Sequence, residues 1–179
     1  GAFENKWGTP QNAPPVIATQ SDLTIAEDGT STATLTATDA NDDAITYSAV
    51  SDTNAVTVSV SSSTLTLTPN ANWNGTATIT TYASDGTLKD STTFTLTVTP
   101  INDAPVITAV PNDTTDEETE KSIVLSASDV DGDALTYSAS SDTSAVAVTV
   151  STNTLKLTPV LNYTGTSVIT VIVSDNALT

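Results

Sequence analysis

The chain has 179 residues with 21 acidic side chains against 4 lysines, a formal charge of −17 that leaves no basic patch for nucleic-acid phosphates. It contains no cysteine, histidine, methionine or arginine, which excludes a disulfide framework, a thiolate or imidazole catalyst and a soft-metal site. No apolar run is long enough to insert into a membrane, and the remaining metal chemistry is oxygen ligation of a hard cation such as calcium.

One sequence unit occurs twice along the chain. An offset of 90 residues joins Tyr47 to Tyr137, and the same offset joins Glu27 to Glu117 and Asp85 to Asp175. The register continues without an insertion from one linker to the next. We therefore predict two modules of the same fold.

Apolar residues alternate with Thr or Ser in each copy, a pattern typical of half-buried strands. In the first copy the predicted strands, in chain order, are residues 16–19, 32–38, 44–50, 55–60, 64–68, 76–84 and 92–99. Turns roughly every 8–12 residues favour a Greek-key sandwich. The sequence thus predicts an all-β protein of two tandem sandwich domains.

The predicted domain boundaries follow the repeat. Residues 1–11 form an N-terminal extension, residues 12–100 the first sandwich, residues 101–104 a calcium-binding linker and residues 105–179 the second sandwich. Thr179 aligns with Lys89, so the last strand of the second copy is missing from the sequence. We expect the natural protein to continue; the alternative is a strand supplied by another chain, with residues 1–9 as a candidate donor.

An acidic turn in the second copy is the clearest candidate site. Asp129, Asp131 and Asp133 alternate with Val130 and Gly132 in the turn between two predicted strands. Carboxylates this close repel each other by about 1–4 kcal/mol per pair, depending on the local dielectric, and a bound cation removes that repulsion. A flexible loop suits the oxygen-rich shell of calcium. The alternative is an ordinary Asp-Gly turn.

Further oxygen ligands are predicted at the same pole. Asp175 ends a strand there, and the linker offers two side chains and a backbone carbonyl. If the modules stack head to tail, the end of the first module also contributes a glutamate. The predicted metal ligands are Glu27, the carbonyl of Ile101, Asn102, Asp103, Asp129, Asp131 and Asp175. Weaker candidates are Asn12, Asp39, Asn41, Asp85, Glu117 and Asp133.

Trp73 and Tyr163 occupy the same position in the two copies. An exposed aromatic there offers a stacking platform for a sugar ligand. The structural alternative, which we favour, is an aromatic that packs over the sandwich edge with its polar tip hydrogen-bonded.

Several motifs together resemble the cadherin-like repeats of large bacterial surface adhesins. They are Glu-Asp-Gly-Thr at 27–30, Asn-Trp-Asn-Gly-Thr at 72–76, Thr-Pro-Ile-Asn-Asp-Ala-Pro-Val at 99–106 and Asp-Val-Asp-Gly-Asp-Ala-Leu-Thr-Tyr at 129–137. The resemblance implies an Ig-like sandwich with calcium at the junctions, in a secreted or surface-anchored bacterial protein. It gives Glu27 the base-glutamate role. The loop at 69–75 lacks two acidic ligands of the cadherin pattern, so we expect one or two ions (Ca2+).

The function predicted from these features is that of calcium-rigidified spacer repeats in an extracellular adhesin for surface attachment or biofilm formation. The expected partners are neighbouring repeats, cell-surface or polysaccharide ligands, and other copies of the protein. No catalytic set is predicted, because Ser and Thr have no histidine base. The alternatives are a carbohydrate-binding module and a filament subunit that self-assembles by donor-strand complementation.

Overall fold

The computed structural model describes residues 11–179 and is all-β across that range. The chain divides into two compact units, unit 1 (Gly1–Ile101) and unit 2 (Asn102–Thr179). Residues 1–9, named as a candidate donor strand, lie outside the described residues. No helix of the described residues is long and apolar enough to cross a membrane.

Unit 1 contains nine strands in its described part. They are β1 (Val16–Ile17), β2 (Leu23–Ala26), β3 (Ser31–Thr34), β4 (Ala37–Thr38), β5 (Thr46–Ser51), β6 (Val56–Ser61), β7 (Thr64–Pro69), β8 (Gly75–Ser84) and β9 (Lys89–Thr99). The larger sheet has the order β2-β9-β8-β5 and the smaller one β3-β7-β6, while β1 pairs with β4. The β2–β9 pair is parallel, with Leu23 opposite Leu96, and the other pairs are antiparallel.

The two sheets of unit 1 enclose one apolar core. Along each strand every second side chain points into this core, and the Thr and Ser residues between those inward positions face solvent. Phe94, Leu96 and Val98 of β9 complete the core and are at most 4% exposed. The buried cluster consists of Leu35, Val56, Leu65, Leu67, Ala77, Ile79, Phe94, Leu96 and Val98.

The single strand predicted for residues 32–38 is wrong, because the structure divides it into β3 and β4. β3 pairs with β7 of the smaller sheet, whereas β4 pairs with β1. Between them the N–H of Leu35 donates to the carbonyl of Ser63 at 2.8 Å, and the Leu35 side chain is buried. The chain therefore changes partners at Leu35, which an alternating pattern alone does not reveal.

Unit 2 repeats most of this arrangement. Its strands are β10 (Val106–Ile107), β11 (Lys121–Val124), β12 (Ala127–Ser128), β13 (Thr136–Ser141), β14 (Val146–Ser151), β15 (Thr154–Pro159) and β16 (Ile169–Ser174). They form the sheets β11-β15-β14, β13-β16 and β10-β12.

Two elements of unit 1 have no strand counterpart in unit 2. No described segment lies where β9 lies in unit 1, and residues 113–116, at the position of β2, are exposed and outside any strand. In unit 1, β2 pairs only with β9, so the loss of one strand explains the loss of the other. The local sequence adds to this effect, because Asp113 and Thr115 replace the partly buried Leu23 and Ile25.

Candidate functional site

The acidic turn of unit 2 is organised around one carboxylate. Oδ1 of Asp129 accepts hydrogen bonds from the backbone N–H groups of Asp131 at 2.9 Å and Asp133 at 3.3 Å. Gly132 lies between them with a φ of 79°, a left-handed conformation that glycine adopts without steric cost. The turn directly follows β12, so the pairing of this strand fixes the position of the first carboxylate, Asp129.

This arrangement concentrates negative charge. Asp129, Asp131 and Asp133 each present a carboxylate oxygen, and the three oxygens lie within 4.8 Å of one another. Oδ2 of Asp129 is buried and has no hydrogen-bond donor among the described residues. A carboxylate oxygen withdrawn from water without a donor is costly, and a cation satisfies it.

The first residues of unit 2 are hydrogen-bonded to the same pole. The backbone N–H of Asp103 donates to Oδ2 of Asp131 at 2.8 Å, and Nδ2 of Asn102 donates to Oδ2 of Asp175 at 2.7 Å. Hydrogen bonds from the Leu178 N–H, the Asn102 amide and the Ala177 N–H hold the pKa of Asp175 below its usual value. Asp175 is therefore ionised at neutral pH although only 7% of its surface is exposed.

Glu27 lies at the other end of unit 1, next to the last residues of that unit. It is 2% exposed, its N–H donates to the Thr99 carbonyl, and its Oε1 accepts from the Ile101 N–H at 2.6 Å. Its Oε2 accepts from Nδ2 of Asn74 at 3.5 Å. The carboxylate thus fixes the backbone of the residue that immediately precedes Asn102 in the sequence.

The first pole of unit 1 repeats the geometry with fewer charges. Nδ2 of Asn12 donates to Asp85, the N–H of Ala13 donates to Oδ1 of Asn41 at 2.7 Å, and the N–H of Asn41 donates to Asp39. These bonds match those of unit 2 pair by pair, but Ala13 and Asn41 stand where unit 2 has Asp103 and Asp131.

The acidic group of this pole consists of Asp39, Asp43 and Asp85, with oxygens within 4.8 Å of one another. Oδ2 of Asp39 is buried without a donor among the described residues, as Oδ2 of Asp129 is. Asp43 is absent from the ligands predicted by the sequence, although the 90-residue offset pairs it with the candidate Asp133. The pKa of Asp85 is lowered by the N–H groups of Leu88 and Thr87 and by Asn12.

Glu117, the repeat counterpart of Glu27, is exposed in a segment without strands. The structure does not bring it into either acidic group. Its different surroundings follow from the missing β2 and β9 counterparts, since the Glu27 backbone is fixed by the end of β9.

The two candidate sugar-stacking aromatics pack at corners of their units. Trp73 is half-buried against the core of unit 1 and contacts the position where a Gly75 side chain would begin, at 3.2 Å. Tyr163 takes the same place in unit 2, where its hydroxyl donates to the Thr166 carbonyl at 2.8 Å. Both side chains therefore have structural contacts.

Comparison with known proteins identifies the family. The family model described as a bacterial Ig domain matches residues 12–99 and again residues 102–179. The chain belongs to the bacterial Ig domain family. This assignment confirms the sequence prediction of tandem Ig-like, cadherin-like repeats and of two β-sandwich domains. No protein of curated function matches the sequence.

Among the solved structures similar to the two bacterial Ig domains, human protocadherin-24 EC1-2 supports the fold. Human protocadherin-24 EC1-2 is 18% identical with a TM-score of 0.56, covering 89% of this chain and 86% of that one. Drosophila N-cadherin EC1-4 is 13% identical with a TM-score of 0.49, covering 90% and 49%. An endo-fucoidan hydrolase of glycoside hydrolase family 107 is 21% identical with a TM-score of 0.44, and its alignment covers 96% of this chain but 29% of the hydrolase.

Bacterial Ig domains are typical of surface or extracellular proteins and are generally non-enzymatic. The acidic groups at the two poles have the residue types to hold a metal ion.

Proposed function

We propose that the two bacterial Ig domains are spacer repeats of a bacterial extracellular adhesin, made rigid by calcium at the linker. The proposal depends above all on one observation, the buried Oδ2 of Asp129, which has no donor among the described residues and belongs to a group of three close carboxylates. On this proposal the protein has no catalytic activity of its own.

The proposed calcium ligands are oxygens of Asp129, Asp131, Asp133 and Asp103. Calcium binds six to eight oxygens in flexible geometry, so carboxylates on a turn and on an extended linker suit it better than they suit magnesium. Asn102 and Asp175 lie beside the group and keep the linker close to it through their hydrogen bond. Glu27 and the carbonyl of Ile101 are the proposed ligands from the preceding unit.

The mechanical consequence follows from chain continuity. Glu27 holds the backbone of Ile101, and an ion at the acidic turn holds Asn102 and Asp103, which are the next two residues. Both ends of the linker would then be fixed when calcium is bound. Extracellular calcium modules bind with Kd values of about 10⁻⁴–10⁻³ M, so the site would be filled outside cells and empty inside them.

Calorimetric titration of calcium into the wild type and into Asp131→Asn tests the binding site. The variant removes one charge but keeps the hydrogen-bond acceptor, and unit 1 shows that Asn41 accepts the equivalent bond. We expect at least a tenfold loss of affinity in the variant, which is ~1.4 kcal/mol of binding free energy, because one carboxylate charge close to the ion is removed.

Asp116→Asn is the matched control, because it removes one exposed charge outside the acidic group and should leave affinity unchanged. The reciprocal variant Asn41→Asp should strengthen calcium binding at unit 1. Equal affinity in the wild type and Asp131→Asn would exclude this turn as the site.

Small-angle scattering with calcium and with a chelator tests the mechanical role separately. Calcium should narrow the distribution of interdomain distances and increase the maximum dimension of the wild type, and Asp131→Asn should resemble the chelated wild type. Calcium binding without any change in the scattering curve would support the proposed calcium site but contradict the proposed spacer function.

A further inference from the structure

One asparagine of unit 1 is followed directly by glycine, a pair that is chemically labile in proteins. Asn74-Gly75 is the single Asn-Gly pair of the sequence. Asn74 is exposed and lies just before β8, which begins at Gly75. The side-chain carbonyl carbon of Asn74 and the main-chain nitrogen of Gly75 can close a five-membered ring, and glycine has no Cβ that hinders this approach.

The fold itself requires glycine at position 75. Gly75 has a φ of 145°, and a Cβ there would lie 3.2 Å from the ring of Trp73. Unit 2 repeats this packing, with the Tyr163 hydroxyl 3.0 Å from a Cβ at Gly165, but Thr164 precedes that glycine. The corner therefore keeps the glycine in both units, and only unit 1 places an amide side chain before it.

Asn74 lies beside the carboxylate that holds the last residue of unit 1. Nδ2 of Asn74 donates to Oε2 of Glu27 at 3.5 Å, a long hydrogen bond that does not lock the amide in place. Oε1 of Glu27 accepts the Ile101 N–H at 2.6 Å. Because Glu27 is 2% exposed, little water screens it from a charge at position 74.

We infer that Asn74 is a site of spontaneous deamidation, which places a second carboxylate against Glu27. The main-chain nitrogen of Gly75 bonds to Cγ of Asn74, the Cγ–Nδ2 bond breaks, and Nδ2 leaves as ammonia with the proton of the Gly75 N–H. Water then opens the succinimide ring. Attack at Cγ gives aspartate, and attack at the main-chain carbonyl gives isoaspartate. The net reaction consumes one water, releases one ammonia and adds one negative charge at neutral pH.

The position of Gly75 in the sheet makes its nitrogen accessible to this reaction. Gly75 is the first residue of β8 and pairs with Val98 at the end of the β8–β9 ladder. The end of a strand opens at a lower free energy than its centre, so the ring can close without unfolding of the core. The reaction does not depend on calcium, and the inference goes beyond the spacer function.

The two products have a common effect and a separate one. Each puts a carboxylate where Glu27 had a donor, and the two like charges repel. The bond from Glu27 to the Ile101 N–H should therefore weaken. Isoaspartate also lengthens the main chain by one methylene between Trp73 and β8, which disturbs the packing of Trp73 on Gly75.

Ageing of the 179-residue protein at neutral pH, followed by peptide mass spectrometry, tests the site. Aspartate and isoaspartate should accumulate at position 74 before any other asparagine is converted, with an equal amount of ammonia released. Asn74→Gln should stay unmodified over the same period, because its longer side chain would have to close a six-membered ring. A synthetic peptide of residues 70–78 gives the rate without the fold. Conversion of the peptide with none in the protein, or earlier conversion of another asparagine, would overturn the inference.

The Asn74→Asp variant tests the structural consequence separately. Hydrogen exchange of the Ile101 N–H, measured in chelator, should be at least about tenfold faster than in the wild type, because repulsion moves its acceptor away. Asn54→Asp is the matched control, since it adds the same charge to unit 1 at an exposed residue and should leave the exchange of Ile101 unchanged. Equal exchange of Ile101 in the wild type, Asn74→Asp and Asn54→Asp would overturn the proposed effect on Glu27.

Discussion

Asp175 connects the linker with the end of a strand through its two carboxylate oxygens. Oδ1 accepts the N–H groups of Ala177 and Leu178 at 2.6 and 2.5 Å, and Oδ2 accepts the Asn102 amide at 2.7 Å. These bonds stabilise the charged form, which is why the pKa of Asp175 lies below its usual value. The turn after β16 and the entry of the linker therefore depend on one ionised side chain.

The lowered pKa makes the stability of unit 2 dependent on pH. The unfolded chain binds a proton at Asp175 near pH ~3.9, whereas the folded chain binds it at lower pH. The contribution of this group is therefore complete above pH ~4 and is lost as the pH falls through the folded-state pKa. We expect the free energy of unfolding of Asp175→Asn to vary less with pH below 4 than that of the wild type.

Urea unfolding of unit 2 at several pH values between 2.5 and 6, in chelator, measures this slope. The corresponding unit 1 variant, Asp85→Asn, is the control, because it should flatten the slope of unit 1 and leave unit 2 unchanged. Parallel pH profiles for the wild type and Asp175→Asn would contradict the assignment.

Individual site residues could be predicted where their spacing in the sequence alone brings their side chains together. Alternating carboxylates at 129, 131 and 133 are brought together by the turn they form, so the sequence alone locates them. The contact of Glu27 with the Ile101 N–H joins residues 74 positions apart and depends on the β2–β9 pairing. Asp43 is not among the predicted ligands, because only the folded turn shows that its carboxylate lies close to those of Asp39 and Asp85.

At the level of strands, the alternating pattern predicted most elements. It failed where the existence or the bounds of a strand depend on which strand it pairs with. β7 lies on residues 64–69 against a prediction of 64–68, because alternation fixes its buried face. β2 was not predicted, and its repeat counterpart is not a strand at all. A parallel edge strand exists only where its neighbour exists, and that dependence is not present in the local sequence.

The difference between the two units can be tested with a matched pair of leucine substitutions, one in each unit. Leu67 is 0% exposed in the closed core, whereas its counterpart Leu157 lines an open groove between the strands of unit 2. Leu67→Ala should destabilise unit 1 by about 2–5 kcal/mol, since it leaves a cavity between two covered sheets. Leu157→Ala should cost unit 2 less, because the removed atoms are already partly accessible to water.

Denaturant dependence of hydrogen exchange in β7 and β15 measures the two costs in one protein, because each strand reports on its own unit. Equal costs for the two variants would indicate that the groove is closed in solution.

At the scale of the whole molecule, the two units share a sequence pattern but differ in how much apolar surface they bury. Among the described residues, eleven apolar side chains are buried in unit 1 and four in unit 2. Burial of apolar surface is the main favourable term in folding, so unit 2 should be the less stable of the two.

Calorimetric unfolding in chelator should accordingly show two transitions, with unit 2 melting first. In a Trp7→Phe variant, which leaves Trp73 as the single tryptophan, the fluorescence should follow the second transition, because Trp73 packs against the unit 1 core. Calcium at about ten times its Kd stabilises the state that binds it by ~1.4 kcal/mol, which corresponds to an increase of about 6–11 °C for a unit of this size.

That increase should appear in the lower transition of the wild type and be reduced in Asp131→Asn, since Asp131 belongs to the acidic group of unit 2. An upper transition that responds equally would mean that the Asp39 group binds calcium as tightly as the Asp129 group. The loss of charge at Ala13 and Asn41 argues against that result, because the unit 1 pole offers the same hydrogen bonds but has no carboxylate at these two positions to attract a cation.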